Sequence, residues 1–197
     1  VASILKIPTV IHESNSYPGV TTRMLATRAT KIFIAFEDAK RWLKQTDHVT
    51  LIGTPTREIL GTVSRSASRE FFKIDPNKKT LLVFGGSLGA ASINNAVLEA
   101  LDDLLNGGIQ LIWQTGQSDF ERVRAAIGNK HIGWLGAFID RMEYAFGAAD
   151  LVVCRAGATT LAELTRVGKP AIVIPYPHAA GDHQTHNALS LAEAGAA

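Results

Sequence analysis

A single cysteine, Cys154, stands in a chain of 197 residues, which excludes an internal disulfide and fits a reducing compartment. It closes the apolar run Leu151-Val152-Val153, the setting of a small buried residue and not of a nucleophile. No apolar run approaches the roughly 18 residues of a membrane span. Charge of one sign is also lacking: 20 basic against 18 acidic residues leave a net charge of +2, so electrostatics give no ground for a nucleic-acid partner. No Gly-Lys-Ser/Thr ending is present, which excludes a Walker-type phosphate loop. No G-x-G-x-x-G follows an apolar run, and the strand expected at Gln110 to Thr115 ends without the acidic residue that would hold an adenosine ribose. Both absences count against an NAD enzyme. Nor is there an Asp-x-Asp pair to hold a divalent ion on a diphosphate. No signal peptide is visible. The chain begins at Val1 without Met and is read as a fragment.

What is present is a globular composition, 46% hydrophobic and 19% charged, organised around Thr80 to Asn94. Leu81, Leu82, Val83 and Phe84 form an apolar run short enough for a strand buried on both faces. Gly85 and Gly86 permit a sharp turn. From Gly89 onward Ile93, Val97 and Leu101 recur on one face of a helix. A strand, a glycine turn and a helix start direct free N–H groups and the positive dipole end at one spot, and Ser87 adds a hydroxyl. That spot suits an anion. A tight turn whose glycines only allow close packing remains the alternative.

Along the chain, a short helical opening precedes Pro8, and a strand at Thr9 to Glu13 runs into the loop Ser14 to Gly19. A helix over 20–29, a strand over 31–36, a helix over 37–44 and a strand over 49–53 follow. Pro55 cannot continue a ladder, so a domain boundary is expected between it and the polar segment from Ser64 to Arg69. Beyond it, strands near Leu81, Gln110, Ile132, Leu151 and Ala171 alternate with helical patterns. That alternation implies βαβ units and parallel sheets in an α/β fold. Ligands of such sheets bind beyond the carboxyl ends of the strands.

Three later loops occupy that position. Arg155 to Glu163 repeats the order strand, glycine, hydroxyl residues, helix start; Thr160-x-x-Glu163 is either a capping box or a ligand contact. Phe138-Ile139-Asp140 could hold a flat base or belong to the core. In the loop Pro175 to Asn187, Asp182 is a candidate N-cap, and the amide of Gln184 suits sugar hydroxyls. His178, His183 and His186 lack the carboxylates and spacing of zinc helices. No Lys or Arg lies between Thr80 and Gln114, so Arg57 and Arg155 are the available cations. The pattern points to anion binding by helix ends and arginine, without a metal or other cofactor.

Five ordered segments, IHESNSYPGVTTR, GTPTRE, FGGSLGAASIN, CRAGATTLAE and HAAGDHQTHNAL, resemble the MurG family over almost the whole chain. These are bacterial glycosyltransferases that add N-acetylglucosamine to lipid-linked muramyl-pentapeptide. The resemblance implies a GT-B fold of two Rossmann-like parallel-sheet domains. Residues 1–58 would be the C-terminal part of the acceptor-side domain, here incomplete, and 59–197 the UDP-sugar domain, truncated at its end. It places Ser87, with Gly85, Gly86 and Gly89, at the diphosphate, the backbone of Ile139 at the uracil, and Glu163 at the ribose hydroxyls. Ala158, Thr159 and Thr160 would lie along the diphosphate and sugar, Gln184 at the sugar hydroxyls, and Asn15 and Arg57 on the other side of the donor. His183 stands where some relatives carry a second glutamine.

The reaction so implied inverts the anomeric carbon: the C4 hydroxyl of the muramyl sugar attacks C1 and UDP leaves. The implied setting is peripheral, on the cytoplasmic face of the bacterial plasma membrane, in peptidoglycan synthesis. The family base lies in a glycine-rich loop ahead of this chain. His12, the one histidine in the remaining strand-end loops of the first domain, matches a structural or donor-side position. The chain alone is therefore expected to bind UDP without transfer. A UDP-N-acetylglucosamine 2-epimerase would need paired carboxylates in the sugar-side loops, and none is found. A non-catalytic nucleotide-sugar-binding module is the other alternative.

Overall fold

The computed structural model describes residue 2 and residues 5–195. The opening expected ahead of Pro8 falls partly on residues 1, 3 and 4, outside the described ones. By contacts the chain groups into Val1–Thr56 with Ala156–Ala162 and Pro175–Ala197, and Arg57–Arg155 with Glu163–Ile174. A single cut at 58/59 does not reproduce this grouping, because two segments that follow later strands join the first unit.

In the first unit β1 (Val10–Glu13), β2 (Lys31–Ile34) and β3 (Val49–Leu51) form a parallel sheet in that order, with Ile11 opposite Ile32 and Ile32 opposite Val49. β2 alternates as a half-buried strand should: Ile32 and Ile34 are fully buried and pack with Ala26, Ala39 and Leu43. The helix α1 (Val20–Leu25) is shorter than expected. Glu37–Trp42 is a 3-10 helix, not the expected α-helix. Its two ion pairs, Lys40 to Glu37 (2.7 Å) and Arg41 to Asp38 (3.1 Å), are both three residues apart, a spacing that α- and 3-10 helices alike bring together.

The second unit begins with α2 (Arg65–Phe71), so the polar segment after Ser64 is helical. Ser64 caps it, its Oγ accepting from the Ala67 N–H at 3.3 Å. The remaining elements are β4 (Lys79–Phe84), α3 (Ala91–Glu99), α4 (Leu101–Asn106), β5 (Ile109–Gln114), α5 (Phe120–Ile127), β6 (Gly133–Gly136), α6 (Met142–Ala148), β7 (Leu151–Arg155), α7 (Ala158–Val167) and β8 (Ala171–Ile174). All five strands are parallel, in the order β6-β5-β4-β7-β8. β4 is buried on both faces: Leu81 and Val83 pack with Ile93, Val97, Leu101 and Trp113, while Phe84 meets Phe146 edge to face at 6.1 Å.

The amino ends of β4 and β7 are tied by Asp150. Its carboxylate accepts from Arg65 (2.6 Å), from buried Arg69 (3.0 Å) and from the Thr80 N–H (2.8 Å). Burial alone would raise its pKa, but the Thr80 hydrogen bond and the charges of Arg65, Arg69 and Lys79 hold it below the ordinary aspartate value. This ionic anchor leaves the carboxyl ends of the same strands for chemistry.

Candidate nucleotide-sugar site

In the five-stranded sheet the chain runs outward from β4 through β5 to β6, then returns beside β4 as β7. The switch point therefore lies between the carboxyl ends of β4 and β7, where sheets of this kind bind ligands. After β4 the glycine loop divides its labour. Gly89 crosses the chain after β5 so closely that an added Cβ would lie 2.0 Å from the Thr115 carbonyl oxygen; at Gly85 a Cβ would meet Ala90 at 2.4 Å. Those two glycines serve packing. Gly86 has φ +89° with open space where its Cβ would be, and Ser87 beside it is exposed. The packing reading of the loop thus holds at Gly85 and Gly89, while Gly86 and Ser87 are left open to solvent.

The helix that follows starts at Ala91, not at Gly89, and no side chain caps it from Ala90. Its first N–H groups are left for another acceptor. Arg155, the last residue of β7, donates to Ser92 Oγ in that first turn at 2.7 Å. A guanidinium beside a helix start opposes the macrodipole, an arrangement that a bound anion would relieve.

Gln114, at the end of β5 and 3% exposed, joins this loop to the next. Its Nε2 donates to the Gly86 carbonyl at 2.8 Å, and its Oε1 accepts from the Ile139 N–H at 2.9 Å. The Ile139 side chain is core, as one of the two sequence readings had it. Phe138 is half exposed and lines, with Phe71, Phe72, Trp134, Ile139 and Asp140, a cavity of about 260 Å³. Sequence reasoning used Gln114 only to exclude an acidic residue; its bridging role had one visible signal, a lone amide ending an apolar strand.

Glu163 is not part of a capping box. Helix α7 begins at Ala158, with the Leu161 N–H already donating to the Gly157 carbonyl, so Thr160 is the third helical residue and cannot be the N-cap. The Glu163 carboxylate instead stands 3.5 Å from the Arg57 guanidinium. At that length the pair leaves acceptor sites on the carboxylate for hydroxyl groups. Burial pushes its pKa above the ordinary glutamate value, with Arg57 pulling the other way.

In the first unit the remaining candidates gather on one buried amide. Asn187, of helix α8 (His183–Glu193), accepts from the Ser16 N–H at 2.8 Å and donates to Asn15 Oδ1 at 3.1 Å and to the Ala156 carbonyl at 3.2 Å. Ala156 leads into the first turn of α7, where Ala158 is buried, Thr160 partly so and Thr159 exposed. Gln184 lies one turn before Asn187, its Oε1 accepting from the Tyr176 N–H at 2.9 Å, which turns its amide nitrogen to other use. Asp182 occupies the expected N-cap position, but φ +52° turns its carboxylate away from the helix N–H groups and it accepts from the Thr185 hydroxyl at 2.6 Å. His12 is engaged at both nitrogens, with the Gly53 carbonyl at 3.0 Å and Ser14 Oγ at 3.2 Å. His183 bonds the Ala180 carbonyl and His186 stacks on Tyr17 at 4.9 Å. Among the described residues no group of three or more His, Cys, Asp or Glu side chains could hold a metal ion.

A parallel sheet of Rossmann order, with a glycine turn, an uncapped helix start and an arginine at its switch point, defines a doubly wound α/β protein, and its likeness to solved glycosyltransferase structures makes that fold the GT-B type. The model of the glycosyltransferase family 28 C-terminal domain matches residues 80–197, and the chain belongs to that family. It is similar to the UDP-N-acetylglucosamine--N-acetylmuramyl-(pentapeptide) pyrophosphoryl-undecaprenol N-acetylglucosamine transferase of Chlorobaculum tepidum, 51% identical over 188 residues, 95% of this chain and 51% of that protein. The protein of the same name from Flavobacterium psychrophilum is 45% identical over 193 residues, 97% of this chain and 52% of that protein. The crystal structure of Acinetobacter baumannii MurG superposes with a TM-score of 0.76 at 30% identity, covering 98% of this chain and 53% of that one. The glycotransferase of kitacinnamycin shares the fold alone, with a TM-score of 0.57 at 20% identity over 90% of this chain and 44% of that one. The chain spans about half the length of the curated relatives it matches.

Proposed function

We propose that this chain carries the UDP-N-acetylglucosamine site of an inverting N-acetylglucosaminyltransferase acting on the C4 hydroxyl of lipid-linked N-acetylmuramyl-pentapeptide. The observation that carries the reading is the switch point of the five-stranded sheet. There Gly86 and Ser87 face open space beside the uncapped start of α3, and Arg155 is bonded into its first turn. These groups suit the diphosphate and the charge that develops on it as UDP leaves.

The other roles follow from groups with capacity left over. The Ile139 N–H is committed to Gln114, and its carbonyl is the acceptor for the uracil N3–H. Glu163 takes the ribose hydroxyls, with Arg57 beside it. Gln184 offers its amide nitrogen to the sugar, and Asn15, Ala158, Thr159 and Thr160 complete the contacts. On this reading residues 59–197 are the donor side and 1–58 belong to the acceptor side. The names of the relatives support the lipid-linked acceptor, and the reading places the reaction in peptidoglycan synthesis at the inner face of the plasma membrane. The reading includes peripheral attachment to that membrane; among the described residues no helix is long and apolar enough to cross one.

Incubation with UDP-N-acetylglucosamine, with and without the lipid-linked acceptor, followed by product analysis, tests the reading on the enzyme in its full reading frame. Acceptor-dependent release of UDP with formation of a disaccharide is the expected result. Conversion of the sugar at C2 without acceptor would make the protein an epimerase.

A further inference from the structure

We propose that Glu13 and Asn187 are positioning residues that lock the side-chain amide of Asn15 in one of its two flipped orientations. The inference deepens the donor-site reading above and rests on it for its functional consequence. Glu13, at the end of β1 and 5% exposed, accepts at Oε1 from both the Asn15 N–H (3.0 Å) and Asn15 Nδ2 (3.1 Å), and at Oε2 from the Gly19 N–H (3.1 Å). A carboxylate can only accept, so the Nδ2 end of the Asn15 amide must face it. From the other side Asn187, fully buried, presents a donor to Asn15 Oδ1 at 3.1 Å.

The orientation of Asn187 is fixed in turn, because its own oxygen is taken by the Ser16 N–H (2.8 Å) and Ser16 Oγ (3.2 Å). Its nitrogen is left for Asn15 and for the Ala156 carbonyl. Each amide is thus specified at both ends, and reversing either would set donor against donor or acceptor against acceptor inside a buried site.

The lock leaves Asn15 one N–H and one oxygen lone pair of known direction, which a rotating amide could not offer. Asn187 also holds the Ala156 carbonyl, so one buried side chain ties Asn15 to the segment that leads into α7.

The test uses Glu13→Gln, which permits the amide to flip, and Asn187→Asp, which keeps the acceptor for Ser16 but removes the donor for Asn15. Nitrogen-15 spectra read the Asn15 Nδ2 proton pair, identified by its loss in Asn15→Ala, alongside titration with UDP-N-acetylglucosamine and thermal melting. The proposal expects a dispersed, slowly exchanging pair in the unsubstituted chain that moves and exchanges faster in both variants. It expects a roughly tenfold loss of donor affinity in each that disappears in the Asn15→Ala background, as coupling through one residue requires. An Asn15 pair unchanged in both variants overturns the lock whatever the titration gives. Losses that add in full to that of Asn15→Ala also overturn it. If the unsubstituted chain binds no UDP-N-acetylglucosamine, the donor-site reading falls, and the amide spectra alone still decide the lock.

Discussion

Replacing Glu163 by glutamine separates the two uses that the sequence left open for this residue. Glu163 is the sixth residue of α7, so it makes no capping contact, and glutamine has nearly the same helix propensity. Loss of the Arg57 pair, long at 3.5 Å and half exposed on the Arg57 side, costs little, in the range of about 0–1 kcal/mol. Stability should hardly change. Binding should change much more, since hydrogen bonds from ribose hydroxyls to a charged acceptor contribute about 1.5–3 kcal/mol, or roughly ten- to a hundred-fold in affinity.

The pH dependence carries a second signature. Burial raises the Glu163 pKa, so the folded state holds the proton more tightly than the unfolded state. Stability from this group falls as pH rises from the ordinary glutamate value through the raised one. UDP affinity should move the opposite way over the same window, because only the ionised carboxylate accepts from both hydroxyls, and Glu163→Gln should abolish that slope. Calorimetric titrations with UDP and 2′-deoxy-UDP at several pH values check this. Equal losses for both nucleotides, or a slope that survives the substitution, would refute ribose recognition by Glu163.

Gln114→Leu removes the link between the Gly86 and Ile139 loops and orphans a buried N–H. It should lower stability by about 1–3 kcal/mol in chemical denaturation and weaken UDP as well. Gln184→Ala should weaken UDP-N-acetylglucosamine and spare UDP, so parallel titrations of the two ligands locate it on the sugar or, if both weaken alike, elsewhere. Burial pushes the Cys154 thiol up to about 12, so alkylation at pH 8 should be negligible in the folded chain and rapid in denaturant, as read by mass spectrometry.

The strand, glycine turn and helix at Thr80 to Asn94 were legible because an apolar run and a four-residue stripe leave few alternatives. The helix starts two residues after Gly89, and Ala90 carries no capping side chain to mark that start in the sequence. The Thr160 to Glu163 spacing satisfies a capping box on paper, but Gly157 opens α7 three residues sooner. The 3-10 helix at Glu37 was hidden because acids followed by bases favour either helix type. Gln114 and Asn187 escaped notice for another reason. Gln114 ends an apolar strand and Asn187 follows the polar run His183 to His186, and what each does depends on partners far along the chain, such as Ser16 for Asn187, which local spacing does not reveal.

The most direct test of the central claim is calorimetric titration of UDP into this chain in EDTA, repeated with excess magnesium and with ADP. The account predicts saturable binding of UDP that magnesium leaves unchanged, because helix start and arginine carry the diphosphate. It predicts weaker binding of ADP, whose adenine has no ring N–H to offer the Ile139 carbonyl. Binding that vanishes in EDTA and returns with magnesium, or an equal affinity for ADP, would contradict it.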